Sequence, residues 1–308
     1  MQNKNRFISH QGNPPDAYSV GFELPVYYKS EYLLLHNIPA SSCYYLLDTE
    51  TRSIAGKVIL HNCSDGSLLS MPSAPFGSFF YDRHVPGKTL KDWINHLAPQ
   101  KHMTIRHPSE IYYAGEDYVI GFLESLAPHN VTSDINQHIN LMNFGEGGMH
   151  KMQLRRIRKC QQAGFRCEQI NDIHSLERVY DFLKDCRSEQ GLKINIEKEL
   201  FLNSFQRLPD DYFAFGVYDA QKTLIAATVT LRVTAQIMYN YLPGSLKSYS
   251  AYSPMTYLLN SLVIFMKRYN FNTLDLGVSS IDGEEQSGLA RFKERMGAVR
   301  TDKLTLCF

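Results

Sequence analysis

The 308-residue sequence predicts an α/β protein with mixed α+β sheets, built as two tandem halves. Three observations carry that expectation. The stretches "YYLLDTETRSIAGKVIL" at 44–60 and "FGVYDAQKTLIAATVTL" at 215–231 align without a gap. Each reads as a strand ending at Asp48 or Asp219, a polar turn, and a second strand alternating through Ile54-Ala55 or Ile225-Ala226. At the same offset of 171 residues a third strand follows, "SLLSM" or "IMYNYL", and then a further one, "HMTIRH" or "TLDLGV". Between those last two lies a helical segment, "KTLKDWINHLA" in the first half and "PMTYLLNSLVIFMKRY" in the second. Strand, hairpin, strand, helix and strand, occurring twice, describe a small mixed sheet covered by helices. The aligned identities are few, so one irregular α/β domain is the competing reading.

Taken in order, the first half spans 1–148 and the second 149–308. In the first half the loop "SMPSAPFGSFFYDRHVPGK" reads as a surface loop, since loops vary freely and run over the outside. Glycines 145, 147 and 148 mark a break, after which Leu154, Ile157, Cys160 and Ala163 recur at helical spacing until Gly164 closes the helix. Two further helices, "SLERVYDFLKDCRSEQG" and "EKELFLNSFQRLP", precede the second hairpin. Ser253 is a natural N-cap and Pro254 a natural first helical residue. In the last helix, "GLARFKERMGA" at 288–298, the spacing of Leu289, Phe292 and Met296 sends them to the core and leaves Lys293 at an edge of that face.

Apolar residues make up 44% of the chain, enough to build the cores of two domains. Lys and Arg number 32 against 31 Asp and Glu, so no global field favours a polyanion or a membrane surface, and any anion site must be local. The longest apolar run, "YLLNSLVIFM", is broken by Asn260 and Ser261, and the N-terminal residues hold no signal-length apolar core; the reading is a soluble, cytoplasmic protein without a membrane span. Six cysteines form no C-x-x-C pair and no histidine pair completes a zinc pattern, so reduced thiols and no metal are expected. The scattered histidines receive no role.

The helix "RRIRKCQQAGF", the strands "LIAATVTL" and "TLDLGV", and the closing "GLARFKERMGA" together resemble the GNAT superfamily of N-acyltransferases, in its FemAB-like (BioF2-like) branch. The resemblance covers residues 149–308, with 1–148 as the degenerate partner of a double GNAT fold. It implies transfer of an acyl or aminoacyl group onto an amine, with no permanently bound cofactor and with acyl-CoA, an acyl carrier thioester or aminoacyl-tRNA as co-substrate. In many GNAT enzymes a tyrosine four residues before the helix-ending glycine protonates the departing thiolate. Gly297 stands at that glycine and Lys293 at the tyrosine, where Fem-type relatives use a positive charge on the transition state. The R/Q-x-x-G-x-G/A pyrophosphate signature is absent from "SLKSYSAYSPM", leaving Ser250, Tyr252, Ser253 and the following helix N-terminus as the anion-binding elements.

Other residues follow from chemistry. Between Gly147 and Cys167 there are six basic residues and no acid, which reads as a solvated helix face or as a phosphate or carboxylate clamp; bidentate geometry favours Arg155 and Arg158. Asp275 interrupts an apolar strand, so its carboxylate is either paired in a salt bridge or placed at a cleft as base or orienter. Tyr239 and Tyr241 share a strand face, as core aromatics or as the lining of a substrate cleft. The resulting expectation is an N-acyltransferase acting on a small-molecule or cell-envelope amine. The alternatives are an aminoacyl-tRNA-dependent Fem-type transferase, disfavoured by the near-neutral charge, and a non-catalytic binding module on the same fold.

Overall fold

Asp48 and Asp219 close equivalent turns in the two halves. Asp48 Oδ1 accepts the N–H groups of Glu50 (3.0 Å) and Thr51 (3.4 Å), and Asp219 Oδ1 those of Gln221 (3.0 Å) and Thr223 (2.8 Å). A short carboxylate that bonds its own backbone two residues on fixes a turn locally, and each turn therefore sets the register of a hairpin. The computed structural model describes residues 6–97, 102–113, 118–142, 144 and 148–308. It divides into two compact units, Met1–Ile135 with Ser280–Glu284 and Thr301–Phe308, and Asn136–Ser279 with Glu285–Arg300.

The first unit contains β1 (Phe7–Gln11), β2 (Ser19–Val20), α1 (Ser30–Leu35), β3 (Cys43–Asp48), β4 (Ser53–Asn62), β5 (Leu68–Ser70), β6 (Phe80–Tyr81), α2 (Gly87–Leu97), β7 (Met103–Arg106), α3 (Tyr118–Ser125) and the start of β8 (Asn130–Asn140). Its sheet runs β1-β3-β4-β5-β7, and β7 is followed by residues 305–307 of the last strand, β16 (Val299–Cys307). β5 and β7 are parallel, which requires the crossover that α2 supplies. Leu90, Trp93 and Ile94 of α2 are buried, with Trp93 edge-to-face on Phe79 at 5.3 Å.

The loop after β5 is not a surface loop, contrary to the sequence expectation. Met71, Phe76, Ser78 and Phe79 are all buried. A buried loop must find partners for its backbone, and here side chains provide them. Tyr28 Oη donates to Ser78 O (2.7 Å) and accepts from Ser78 N (2.9 Å), Tyr32 Oη donates to Ser73 O (2.6 Å), and the Arg106 guanidinium bonds Ser70 O and Met71 O. Gly77 N donates to Arg106 O at 2.8 Å, an approach so close that a Cβ at Gly77 would collide with the Met71 side chain.

The second unit holds α4 (Lys151–Gln162), β9 (Arg166–Ile170), α5 (Ile173–Ser188), α6 (Lys198–Arg207), β10 (Tyr212–Tyr218), β11 (Leu224–Arg232), β12 (Ile237–Ser245), α7 (Pro254–Arg268), β13 (Thr273–Val278) and α8 (Ser287–Arg295). The short pair β14 (Ser280–Ile281) and β15 (Glu284–Glu285) links β13 to α8. Its sheet order is β8-β13-β12-β11-β10-β9, with residues 136–140 of β8 against β13 and only β12 and β13 parallel. Leu259, Leu262, Val263 and Met266 of α7 pack onto Phe215, Met238 and Leu274 of the sheet.

Two local expectations need correction. Ser253 does stand at the N-cap of α7, but its backbone is left-handed (φ 56°), so its hydroxyl turns back to donate to Ser250 O at 3.3 Å and no side chain caps the helix. On α8, Leu289 is exposed, and the buried stripe is Ala290, Lys293 and Met296. Lys293 therefore lies within the buried face and not at its edge. All six cysteines are unbridged. No described helix is long and apolar enough to cross a membrane, and among the described residues no group of three or more His, Cys, Asp or Glu is placed to hold a metal.

Gly77→Ala is predicted to destabilise the protein by about 1–3 kcal/mol through overpacking against Met71. Urea unfolding would show this as a lower midpoint at unchanged slope.

Candidate functional site

The parallel ladder between β12 and β13 is only three positions long. It pairs Ile237 with Thr273, Met238 with Leu274 and Tyr239 with Asp275. Both strands are irregular near that point. On β12 the register against β11 passes from Leu242 opposite Val229 to Asn240 opposite Thr230, so Tyr241 is the extra residue of a bulge. On β13 it passes from Asp275 opposite His138 to Val278 opposite Asn136, so two residues, Leu276 and Gly277, face Gln137 alone. Gly277 has φ +72°, a conformation that glycine adopts without a Cβ clash. Bulges bend a strand and re-aim its groups, and here they lie where the ladder ends.

Lys293 is held by the second bulge. Its Nζ donates to Gly277 O and Val278 O, both at 2.8 Å, and only 5% of the residue is exposed. Burial pulls its pKa down to about 8, against which the negative charge of Asp275 works. The Asp275 carboxylate is itself buried and accepts from Asn136 Nδ2 (3.0 Å) and Gly277 N (2.8 Å), fixing the bulge from its other side. Tyr239 closes over the glycine, for a Cβ at Gly277 would sit 3.1 Å from the tyrosine ring. Burial and then the charge of Asp275 raise the Tyr239 hydroxyl pKa, while burial raises that of Tyr241, whose ring centroid lies 6.3 Å from that of Tyr239.

α8 is positioned by a second buried link. Gln137 Nε2 donates to Ala290 O (3.1 Å), Gln137 Oε1 accepts from Ser279 Oγ (2.6 Å), and Gln286 N donates to Ser279 O (2.8 Å). Lys293, one turn beyond Ala290, thus reaches the bulge from an anchored helix. Of the predicted residues, the fold brings Lys293, Asp275, Tyr239 and Tyr241 together. Asn136, Gln137 and Arg187 complete the surroundings without having been singled out by sequence. The Arg187 guanidinium acts by its charge on both tyrosines, lowering the pKa of each.

The remaining predicted residues lie elsewhere in the unit. Gln153, Ile157 and Cys160 form the buried stripe of α4, which turns Arg155 and Arg158 to solvent. Arg156 is the half-buried arginine, with Nη1 on Gln153 Oε1 at 3.0 Å. It is Lys159 that reaches the loop before α7. Its Nζ donates to Ala251 O (2.9 Å) and lies 4.6 Å from the centroid of the Tyr252 ring, while Cys160 Sγ donates to Tyr252 O (3.3 Å). Ser250, Tyr252 and Ser253 form a turn-rich approach to the α7 N-terminus, where Pro254 has no N–H, Ser253 N donates to Ser250 O (3.0 Å) and Thr256 N donates to Ser253 O (2.9 Å).

An ammonium in this setting has defined chemistry. Charged, it offers three donors, two of them used by Gly277 O and Val278 O, and the third can meet an oxyanion in a low-dielectric site. Neutral, it can take a proton.

Residues 150–294 match the family model described as an acetyltransferase (GNAT) domain. Among solved structures, the fold is similar to FemX at TM-score 0.65, with 10% identity over 90% of this chain and 90% of that one. It is similar to the C-terminal domain (DUF2156) of a putative lysylphosphatidylglycerol synthetase from Agrobacterium fabrum at 0.57, with 9% identity over 86% and 84% of the two chains. A tandem GNAT protein from the clavulanic acid biosynthesis pathway matches at 0.50, with 11% identity over 86% and 82%. No curated protein matches the sequence.

The displaced pKa of Lys293 makes stability depend on pH. Below about 8 both folded and unfolded chains carry the charge, and the full penalty of burying it is present. Between about 8 and the ordinary 10.5 the unfolded chain binds the proton and the folded chain does not, so stability rises with pH. Relative to Lys293→Met, the unfolding free energy is predicted to gain about 2 kcal/mol between about pH 7 and about pH 9.5, read from urea unfolding of both proteins.

Proposed function

We propose that this chain, which has the FemAB-like double fold of the GNAT superfamily, is an N-acyltransferase moving an acyl group from a thioester, acyl-CoA or an acyl carrier, to an amine. In this reading residues 149–308 form the transferase domain and 1–148 its degenerate partner. The observation that carries the reading is the buried ammonium of Lys293 beside the point where β12 and β13 cease to pair.

The chemistry forms a C–N bond and breaks a C–S bond. A neutral amine attacks the thioester carbonyl, a tetrahedral oxyanion develops, and its collapse expels a thiolate that takes up the proton lost by nitrogen. Charged Lys293 stabilises the oxyanion through its third N–H. Asp275, bonded to Asn136 and Gly277 N, holds the bulge whose carbonyls aim the ammonium; that pairing favours orienter over proton acceptor. Tyr239 and Tyr241 line the acceptor side. The α7 N-terminus with Ser250, Tyr252 and Ser253 receives the donor's phosphates, which the positive end of the helix dipole favours. Arg155 and Arg158 are exposed, so they contact only an anionic portion of a ligand lying at the surface.

A second reading, transfer from aminoacyl-tRNA, is favoured by two features together. The glycine signature for a pyrophosphate is missing from 245–255 while a lysine replaces the thiolate-protonating tyrosine. The formal charge of +1 weighs against it. Binding of charged tRNA that weakens steeply with added salt would select it.

Acyl-CoA is predicted to raise the melting temperature saturably. Lys293→Met should keep that rise while losing about 100-fold or more in kcat, and the wild-type rate should fall above about pH 8 as the ammonium deprotonates. No thermal shift with any thioester removes the CoA donor. Full turnover by Lys293→Met removes the mechanism and leaves the binding-module reading.

A further inference from the structure

Arg187 is a cation of the second unit that the acyl-transfer chemistry leaves unused. It belongs to the sheet-facing stripe of α5, one turn beyond Leu183 and next to Cys186. Both of those pack closely on β12, for a Cβ at Gly244 would lie 2.8 Å from Leu183 and 3.2 Å from Cys186. The Arg187 side chain is half-buried, and among the described residues its guanidinium makes no hydrogen bond and no ion pair. A cation near a helix C-terminus complements the dipole, but a fully exposed one does that equally well. Turning a guanidinium toward the sheet without a partner costs solvation, which the negative charge of a ligand restores.

The two tyrosines of β12 supply an independent observation. Tyr239 and Tyr241 keep part of their surface open to solvent, and among the described residues neither hydroxyl has a hydrogen-bond partner. Both are nevertheless crowded enough by protein for burial to raise their pKa, so they line a recess. The two ends of that recess differ in charge. The Tyr239 ring borders Gly277, whose carbonyl holds Lys293, and after burial it is the negative charge of Asp275 that acts most on its hydroxyl. The Tyr241 ring centroid lies 6.3 Å away, and the charge that acts on its hydroxyl is that of Arg187.

We propose that Arg187 and the Tyr241 hydroxyl bind an anionic group on the acceptor, so that the substrate class is amines that also carry a carboxylate or a phosphate. The placement of the amine rests on the transferase reading, which brings the nitrogen to the thioester at the Lys293 end. The anion then extends one tyrosine spacing along β12, toward Arg187 and away from Asp275, whose charge would repel it. A guanidinium fork and a phenol hydroxyl are both donors, and the fork matches two oxygens of a carboxylate or of a phosphoryl group.

Calorimetric titration of the full-length protein without thioester tests this with matched pairs, 4-aminobutyrate against 4-aminobutanamide and O-phosphoethanolamine against ethanolamine. Each pair shares the amine and differs in the anion. At least one anionic member is expected to bind saturably, about 10-fold or more tighter than its neutral match. Arg187→Gln should abolish that preference and Tyr241→Phe reduce it, while Lys184→Gln, which removes equal charge from an exposed position of the same helix, keeps it. The pair with the larger preference names the anion. Equal binding within both pairs, no saturation by either anionic amine up to about 20 mM, or an equal loss in Lys184→Gln overturns the proposal. The wild-type comparison needs no variant, and circular dichroism checks the folding of all three. Anionic preference with no turnover from any thioester would keep this anion site and remove the transferase reading; turnover indifferent to the anion would keep the reaction and remove this inference.

Discussion

A primary ammonium taken out of water must be paid back in fixed dipoles, and two carbonyls of one β-bulge do this for Lys293. Much of the second unit can be understood from that constraint. The carbonyls point at Nζ where Gly277 takes a left-handed conformation, which its lack of a Cβ permits; Asp275 accepts its N–H, and the Tyr239 ring leaves no room for a Cβ there. Asn136 and Gln137, neighbours on one strand, then hold the carboxylate and the helix respectively. Two adjacent strand residues point to opposite faces, so one segment can fix both ends of the lysine's environment.

The first unit shows what the same topology becomes without that arrangement. At the 171-residue offset, Arg106 corresponds to Gly277 and Ser70 to Tyr241. Instead of a glycine bulge there is a guanidinium bonding the carbonyls of Ser70 and Met71, and Arg106 N donates to Ser70 Oγ at 2.9 Å. The end of the parallel pair β5 and β7 is thus stitched together and overlaid by the buried segment from Met71 to Phe80. Local side-chain bonds, with the sheet order retained, separate a filled strand end from one that presents a charged donor.

Element order was legible in the sequence because turn chemistry and periodicity are local. The Asp48 and Asp219 turns, the hairpins they close, and the helices after each third strand are all where patterning puts them. The proximity of Lys293, Asp275, Tyr239 and Tyr241 was legible only through the family resemblance and strand faces. Other features depend on tertiary context. The spacing of Leu289, Phe292 and Met296 predicts a core stripe through Leu289, yet the bulge carbonyls draw Lys293 inward and leave Leu289 exposed. Five basic residues on one helix cannot reveal which arginine is turned inward; burial of Gln153, Ile157 and Cys160 selects Arg156. The buried segment after β5 reads as a loop because its partners, Tyr28, Tyr32 and Arg106, are distant in sequence. Asn136 and Gln137 lie in a polar run whose burial no periodicity signals.

The decisive measurement is the titration of Lys293 Nζ itself, followed by NMR in lysine-labelled protein and assigned by loss of the signal in Lys293→Met. A buried ammonium held by two carbonyls and supported by the charge of Asp275 should titrate near 8 in the wild type, and lower in Asp275→Asn, where that charge is gone. Titration near the ordinary 10.5, unmoved by Asp275→Asn, would mean that Lys293 is solvated in solution and that neither the bulge nor the carboxylate sets its charge.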